Sequence, residues 1–308
     1  MPIRLGIVGV GKIARDQHLP TIAASDAFEL VACASRHAAV DGVDSFPTLE
    51  AMLEGRPDVQ AVAVCSPPTA HYAAARLALD SGRHVLLEKP PCATTAQLDD
   101  LEGRAQRRGV TLFQTWHSRH AAAVDLARAR MAGRPVQSGA ITWKEDVRHW
   151  HPGQHWVFEP GGFGVFDPGI NALSILTRLL DEAVFVDAAD LSFPQNLQAP
   201  IAAELALRTA GGAKIDVALD WRQTGPQSWD IELQAGSESL KLSQGGARLA
   251  VGGADIPSGA DEGEYPPLYR RFAELIDQGA SEVDGRPFGL VADAFLVGRR
   301  HIVEPFQL

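Results

Sequence analysis

The sequence predicts an α/β protein in two parts. The first is a doubly wound parallel Rossmann sheet; the second is an α+β portion with a large, mainly antiparallel open sheet. Three observations lead there. The first third alternates short apolar runs with helical patterns, as βαβ units do. A G-x-G-x-x-A run, Gly9-Val10-Gly11-Lys12-Ile13-Ala14, joins the first apolar run to the first helical one. After about Trp116 the pattern becomes period two, with Gly-rich turns such as Gly211-Gly212 and Gly245-Gly246.

In chain order, Ile3 to Val8 reads as the first strand, and a helix runs from about Lys12 past His18, with Leu19-Pro20 punctuating it. Glu29 to Ala34 is the second strand, and a short helix around Thr48 to Glu54 leads to a buried run, Ala61 to Cys65. An Ala-rich helix, Ala70 to Asp80, stops at Ser81-Gly82, and His84 to Leu87 is broken by Glu88-Lys89-Pro90-Pro91. Thr94 or Thr95 caps a helix that reaches Arg108-Gly109, and Val110 to Thr115 closes the series. Beyond it come a helix, His120 to Met131, and strands at Val136 to Val147, Val184 to Phe193, Ala202 to Arg208, Ala213 to Asp220, Trp229 to Ala235, Ser239 to Leu242 and Ala247 to Val251. Helices are expected from about Asn171 to Leu180, from Leu268 to Asp277 and from Gly289 to Arg299. The domain boundary falls near residue 118, giving 1–118 as a dinucleotide-binding domain and 119–308 as a substrate domain.

Composition fits this reading and excludes others. A chain of 308 residues, 45% hydrophobic and 21% charged, is an ordinary globular one, long enough for two domains. With 38 acidic against 28 basic residues and a net charge of −10, it lacks the basic field that nucleic-acid phosphates require. No apolar run reaches the roughly 18 to 20 residues of a membrane span. With the first strand starting at Ile3, no signal peptide is expected, and the three cysteines, Cys33, Cys65 and Cys92, are scattered, so a reducing cytoplasm is the expected location.

The glycine run carries the first chemistry. Following a strand and opening a helix, Gly9 allows a tight turn, Gly11 lets backbone N–H groups approach a pyrophosphate, and Ala14 lets the helix pack on the sheet; Lys12 and Ile13 lie between them. About 20 residues on, the end of the second strand normally holds the residue that reads the adenosine ribose. Here it reads Ser35-Arg36-His37, with no carboxylate to repel a 2′-phosphate and with donors that suit one. NADP is therefore the expected cofactor, with NAD also accepted.

Four segments then resemble the Gfo/Idh/MocA oxidoreductases: Gly9 to Ala14; Cys65-Ser66-Pro67-Pro68-Thr69-Ala70-His71; Glu88-Lys89-Pro90; and Gly161-Gly162 followed by Asp167-Pro168-Gly169-Ile170-Asn171. They occur in the expected order along the whole chain. Within that family, Gly11 to His18, Trp143 to Gln154 and Gly164 to Ile175 resemble the bacterial aldose 1-dehydrogenases that act on L-arabinose or D-galactose. The resemblance implies hydride removal from C1 of a pyranose to give an aldonolactone. It places Ser66, Pro67, Glu88 and Lys89 at the cofactor, makes Lys89 the catalytic lysine, and implies a homodimer through the C-terminal sheet. One departure stands out: the family's Asp-x-x-x-His ends here in Asn171, which cannot act as a base.

The residues themselves support such chemistry. Lys89 follows a parallel strand at its carboxyl end, where these sheets present ligand-contacting groups. Asp167 and Asn171 lie four apart at a helix start, so they share a face; Asp167 is the acid/base candidate, and it also fits a helix N-cap before Pro168. Trp143 to Trp156 packs three Trp and three His around Glu145, Asp146 and Arg148, a composition suited to a sugar pocket. Glu145, Trp150 and His151 are the expected substrate contacts, with His117 and Arg119 as weaker ones. No metal is expected: the histidines lack ligand spacing, and hydride chemistry needs none. A catalytically silent NADP-binding sensor of the same fold, or a dehydrogenase for another sugar or polyol, is the alternative.

Overall fold

The computed structural model describes residues 1–259 and 261–308. The chain forms two compact units, Met1–His117 with Tyr265–Gly285, and Ser118–Glu264 with Arg286–Leu308.

The first unit is built on six parallel strands, β1 (Ile3–Val8), β2 (Phe28–Ala34), β3 (Asp44–Phe46), β4 (Ala61–Val64), β5 (His84–Leu87) and β6 (Leu112–Gln114), in the order β3-β2-β1-β4-β5-β6. The chain winds outward from β1 through β3, then crosses back to β4, so the order reverses between β1 and β4. That reversal is where such sheets bind ligands, at their carboxyl ends. The short edge strand β3 has no apolar alternation and escapes a reading by periodicity. The first helix opens at Lys12 and continues as a π-turn, Ala14–His18, into α1 (Leu19–Ala23). Pro20 has no N–H for the α-ladder, and the Leu19 N–H bonds the Ala14 carbonyl, one residue further back than in an α-helix. Helices α2 (Leu49–Gly55), α3 (Pro68–Asp80) and α4 (Thr95–Arg108) complete the crossovers; Thr48 caps α2 by accepting from Ala51 N, and Gly109 ends α4 in the left-handed conformation.

A sequence division at residue 118 misses one member of this unit. We number the next three helices α5 (Val124–Met131), α6 (Val147–Trp150) and α7 (Phe166–Leu179), and α8 (Tyr265–Gln278) after them. Helix α8 lays Leu268, Tyr269, Phe272 and Leu275 on Leu5, Ile7, Phe28, Leu86 and Phe113 of the parallel sheet. Phe272 stacks on Phe28 with ring centroids 5.6 Å apart. Nothing local in the sequence shows which sheet an amphipathic helix will cover.

The second unit carries nine strands: β7 (Val136–Lys144), β8 (Val184–Pro194), β9 (Ala202–Thr209), β10 (Lys214–Asp220), β11 (Ser228–Ala235), β12 (Glu238–Ser243), β13 (Arg248–Val251), β14 (Ala254–Ile256) and β15 (Arg299–Val303). Their order is β14-β13-β12-β11-β7-β10-β9-β8-β15, antiparallel except for β7 with β10 and β8 with β15. Buried and exposed residues alternate strictly along most of β9 and β10, as in a sheet with one packed face. Helix α7 is buried around nearly its whole circumference. A Cβ on Gly169 would meet Leu219 Cδ1 at 2.5 Å, so glycine there lets the first turns of α7 come close to β10.

Candidate active site

In the first unit, the parallel sheet brings the sequence-predicted cofactor residues to one edge. Gly9 has φ +87°, and a Cβ there would meet Ser66 N at 2.7 Å, so the turn after β1 presses against the loop after β4. Apart from its chain neighbours, no atom of the described residues lies within 4 Å of where a Gly11 Cβ would stand, which leaves the start of the helix open to a ligand. Ala14 is fully buried. Ser66 Oγ is buried with no hydrogen-bond partner. Past β2, Ser35 donates its N–H to Phe46 O, and Arg36 and His37 are exposed. Glycines at the turn, an orphaned hydroxyl and an exposed guanidinium with no carboxylate among Ser35, Arg36 and His37 fit a phosphorylated dinucleotide. Lys12 pairs with Asp16 on the helix surface, and Ile13 and Pro67 are also exposed.

Glu88 departs from expectation. It is 3% exposed, and its carboxylate is engaged by the protein: Oε1 accepts from His18 Nε2 at 3.0 Å and from the Tyr265 hydroxyl at 2.9 Å, and Oε2 accepts from Lys89 N at 2.8 Å. A cofactor contact by this side chain is thus corrected to an internal one. The Lys89–Pro90 peptide is cis. On its far side, buried His71 sets Nδ1 3.0 Å from Pro90 O and Nε2 against Ser66 O, which joins the loops after β4 and β5. His117 stacks on Tyr265 with centroids 5.6 Å apart, within this first unit.

In the second unit, strand pairing assembles a cluster of aromatic and charged side chains. Lys144 at the end of β7 is opposite Asp220 at the end of β10, so the next residues, Glu145 and Trp221, emerge side by side; β11 runs back past them and delivers Trp229. Glu145 is buried, and its carboxylate accepts from both indoles, Trp221 Nε1 at 3.1 Å and Trp229 Nε1 at 2.8 Å. Trp150, at the end of α6, packs edge-on to Trp229 and donates to Gln227 Oε1 at 2.7 Å. Asp146 caps that single turn by accepting from Arg148 N. His151 packs its ring edge-on against Trp221, 5.1 Å between centroids.

Asp167 completes the cluster, though not as the cap its place before Pro168 suggests. Helix α7 begins at Phe166 with Val165 as its N-cap, five residues earlier than the sequence indicates, so Asp167 is inside the first turn. Its carboxylate lies 3.3 Å from His151 Nε2, the two side chains being 3% and 20% exposed. His151 Nδ1 is 3.2 Å from Gln154 Oε1. Asn171 is one turn on, with Oδ1 buried and without a hydrogen-bond partner. Arg119 is placed differently from the substrate role expected of it: Nε donates to Ser174 O and Nη2 to Thr177 Oγ1, both at 2.9 Å, so it braces the middle of α7. Sequence reasoning missed Trp221, Trp229, His18, Tyr265 and Tyr269, which serve here only through partners distant in the chain. Among the described residues no cluster of His, Cys, Asp and Glu suits a metal ion.

A family model described as "Oxidoreductase family, NAD-binding Rossmann fold" (Gfo/Idh/MocA) matches residues 3–115. The chain is 44% identical over 305 residues to a galactose 1-dehydrogenase of Pseudomonas fluorescens, covering 99% of each. The chain belongs to the Gfo/Idh/MocA oxidoreductases. The crystal structure of a D-galactose-1-dehydrogenase protein from Rhizobium etli superposes with a TM-score of 0.94 at 53% identity, covering 99% of this chain and 98% of that one. A 3-ketoreductase from Actinomadura kijaniata, solved with NADP and TDP-benzene, shares the Gfo/Idh/MocA fold at 20% identity and a TM-score of 0.82. The protein is thus an oxidoreductase with an NAD-binding Rossmann unit, and no helix among its described residues is long and apolar enough to cross a membrane.

Proposed function

We propose that this oxidoreductase is an NADP-preferring aldose 1-dehydrogenase that oxidises C1 of D-galactose and L-arabinose pyranoses to the aldonolactones. The observation that carries the reading is the buried Asp167 carboxylate bonded to the more exposed His151 imidazole, with Asn171 one turn away. The names of the Pseudomonas and Rhizobium relatives support the same substrate class.

Bound NADP supplies the acceptor for the C1 hydride. Asp167 takes the O1 proton, and His151 passes it toward solvent from its more exposed position. The Asn171 amide orients a neighbouring hydroxyl, which donates to the orphaned Oδ1. Two indoles fix the plane of the Glu145 carboxylate; because each ionised oxygen accepts more than one hydrogen bond, a sugar hydroxyl shares the same oxygens. The faces of Trp150 and Trp229 cover sugar C–H groups. Lys89 assists at O1 as a hydrogen-bond donor, and Arg36 with Ser35 binds the 2′-phosphate. D-galactose and L-arabinose share configuration at C2, C3 and C4 and differ by the hydroxymethyl on C5, so a pocket indifferent to C5 takes both.

Steady-state reduction of NADP and NAD over a panel of D-galactose, L-arabinose and D-glucose tests the reading. Efficient turnover of the first two, poor turnover of the C4 epimer and a higher kcat/KM with NADP are expected. Reduction with a polyol and with no aldose would overturn it.

A further inference from the structure

Glu88 is a buried carboxylate to which the proposed reaction gives no role. Three parts of the first unit converge on it. His18 reaches it from the π-turn, Tyr265 from α8, and the Lys89 N–H from the following peptide; behind His18, Tyr269 Oη is 2.8 Å from Nδ1. The ring of His18 is fully buried and edge-on to both tyrosines, with centroids 4.9 and 5.7 Å away. Because an ionised carboxylate only accepts, His18 Nε2 carries its hydrogen in either protonation state of the ring, and the imidazole is locked in one orientation.

We infer that His18, together with Tyr265, is a positioning residue that holds the Glu88 carboxylate on the Lys89 N–H and so fixes where the Lys89 ammonium lies. The inference rests on the catalytic reading of Lys89 given above. Lys89 has a long, rotamer-rich side chain, so its placement depends on how firmly its backbone is held. Glu88 grips the amide on one side of the residue and His71 the Pro90 carbonyl on the other. With the Lys89 N–H and the Pro90 carbonyl both held, the backbone that carries the Lys89 side chain is anchored on either side.

The electrostatics agree. Burial by itself raises the Glu88 carboxyl, yet the hydrogen bond and charge of His18, the charge of His117 and the Tyr265 hydroxyl hold it down at about 2. The other groups facing it do not compete for the proton. Burial pushes the Cys65 thiol and the Tyr269 phenol well up, so both stay neutral, and burial pushes His71 down. Without His18, burial acts with less opposition and the Glu88 pKa climbs toward the working pH.

The test compares His18→Leu with His18→Gln, whose amide N–H replaces the Nε2–H donor. Turnover is followed against pH, and NADP binding is titrated separately by fluorescence. His18→Leu is expected to lose roughly 10- to 100-fold in kcat, the scale of a misplaced catalytic group. It should also gain an acid limb in its pH profile while its NADP dissociation constant changes less than about twofold. His18→Gln should recover most of the loss and remove the limb. Tyr265→Phe, which deletes a single hydroxyl, should show the same limb in milder form and serves if His18→Leu does not fold. Wild-type kcat and an unchanged pH profile in folded His18→Leu or in Tyr265→Phe would overturn the inference. Lys89→Met separates the two ideas: if it abolishes turnover while both of those variants are normal, Lys89 keeps its role and the positioning device is refuted. If Lys89→Met turns over normally, the catalytic reading itself has failed.

Discussion

At the residue scale, the proposed cofactor choice and proton transfer rest on side chains whose deletion gives separable signatures. Arg36 is exposed, and it forms no ion pair among the described residues. Arg36→Ala should therefore raise the Michaelis constant for NADP by an amount worth roughly 1.5 to 3 kcal/mol, the scale of a hydrogen bond to a charged group, and leave NAD nearly unchanged. Equal losses with both cofactors would remove the 2′-phosphate assignment. Asp167→Asn keeps an oxygen for His151 but removes the proton acceptor, so kcat should fall by about 10² to 10⁴ with little change in the unfolding midpoint. His151→Phe should slow turnover less at high pH, where solvent hydroxide can take the proton without a relay. Near wild-type turnover in Asp167→Asn at saturating sugar would pass the base role elsewhere. Asp167 was legible in the sequence as one of four spaced motifs. Its partner was not, because Asp167 and His151 meet only once α7 has been laid against β10.

Elements decide which of these residues can meet. The parallel pairing of β7 with β10 sets Glu145 beside Trp221, a juxtaposition that periodicity cannot reveal because parallel partners are far apart in sequence. Segment Trp143 to Trp156 was recognisable as aromatic and charged, yet the indoles that hold Glu145 come from Trp221, just after β10, and Trp229 of β11. Helix α8 shows the same limit: its apolar face was evident, and its destination on the first sheet was not. Phe272 is fully buried and stacks on both Phe28 and Phe113, so Phe272→Ala should cost about 3 to 5 kcal/mol by urea unfolding. Glu88, held by α8 and the π-turn, makes stability depend on acid. Its folded value of about 2 lies below the ordinary 4.5, so the stabilisation is complete above about pH 4.5 and is lost as pH falls toward 2. Between pH 5 and pH 3 the wild type should lose about 2 kcal/mol more than Glu88→Gln, measured by urea unfolding at each pH. Parallel loss in the two proteins would show that Glu88 is not held as an anion.

For the whole molecule, the sequence carried the order of elements further than their grouping. A βαβ series with G-x-G-x-x-A, then alternating strands, described both sheets, because each sheet is made of contiguous stretches of chain. What it hid was the return of Tyr265–Gly285 to the first unit and the edge strands β3, β14 and β15, which are three to five residues long and too short for a period to register. Function follows the same division: the first unit presents a dinucleotide edge ending in Lys89, and the second presents Glu145, His151, Asp167 and Asn171. In the proposed reaction C1 of a pyranose gives its hydride to the nicotinamide. D-galactose carrying deuterium at C1 tests it directly. With NADP, the deuterium should appear at C4 of the reduced nicotinamide in amount equal to the lactone formed, and retention of deuterium in the sugar product or unlabelled reduced cofactor would contradict it.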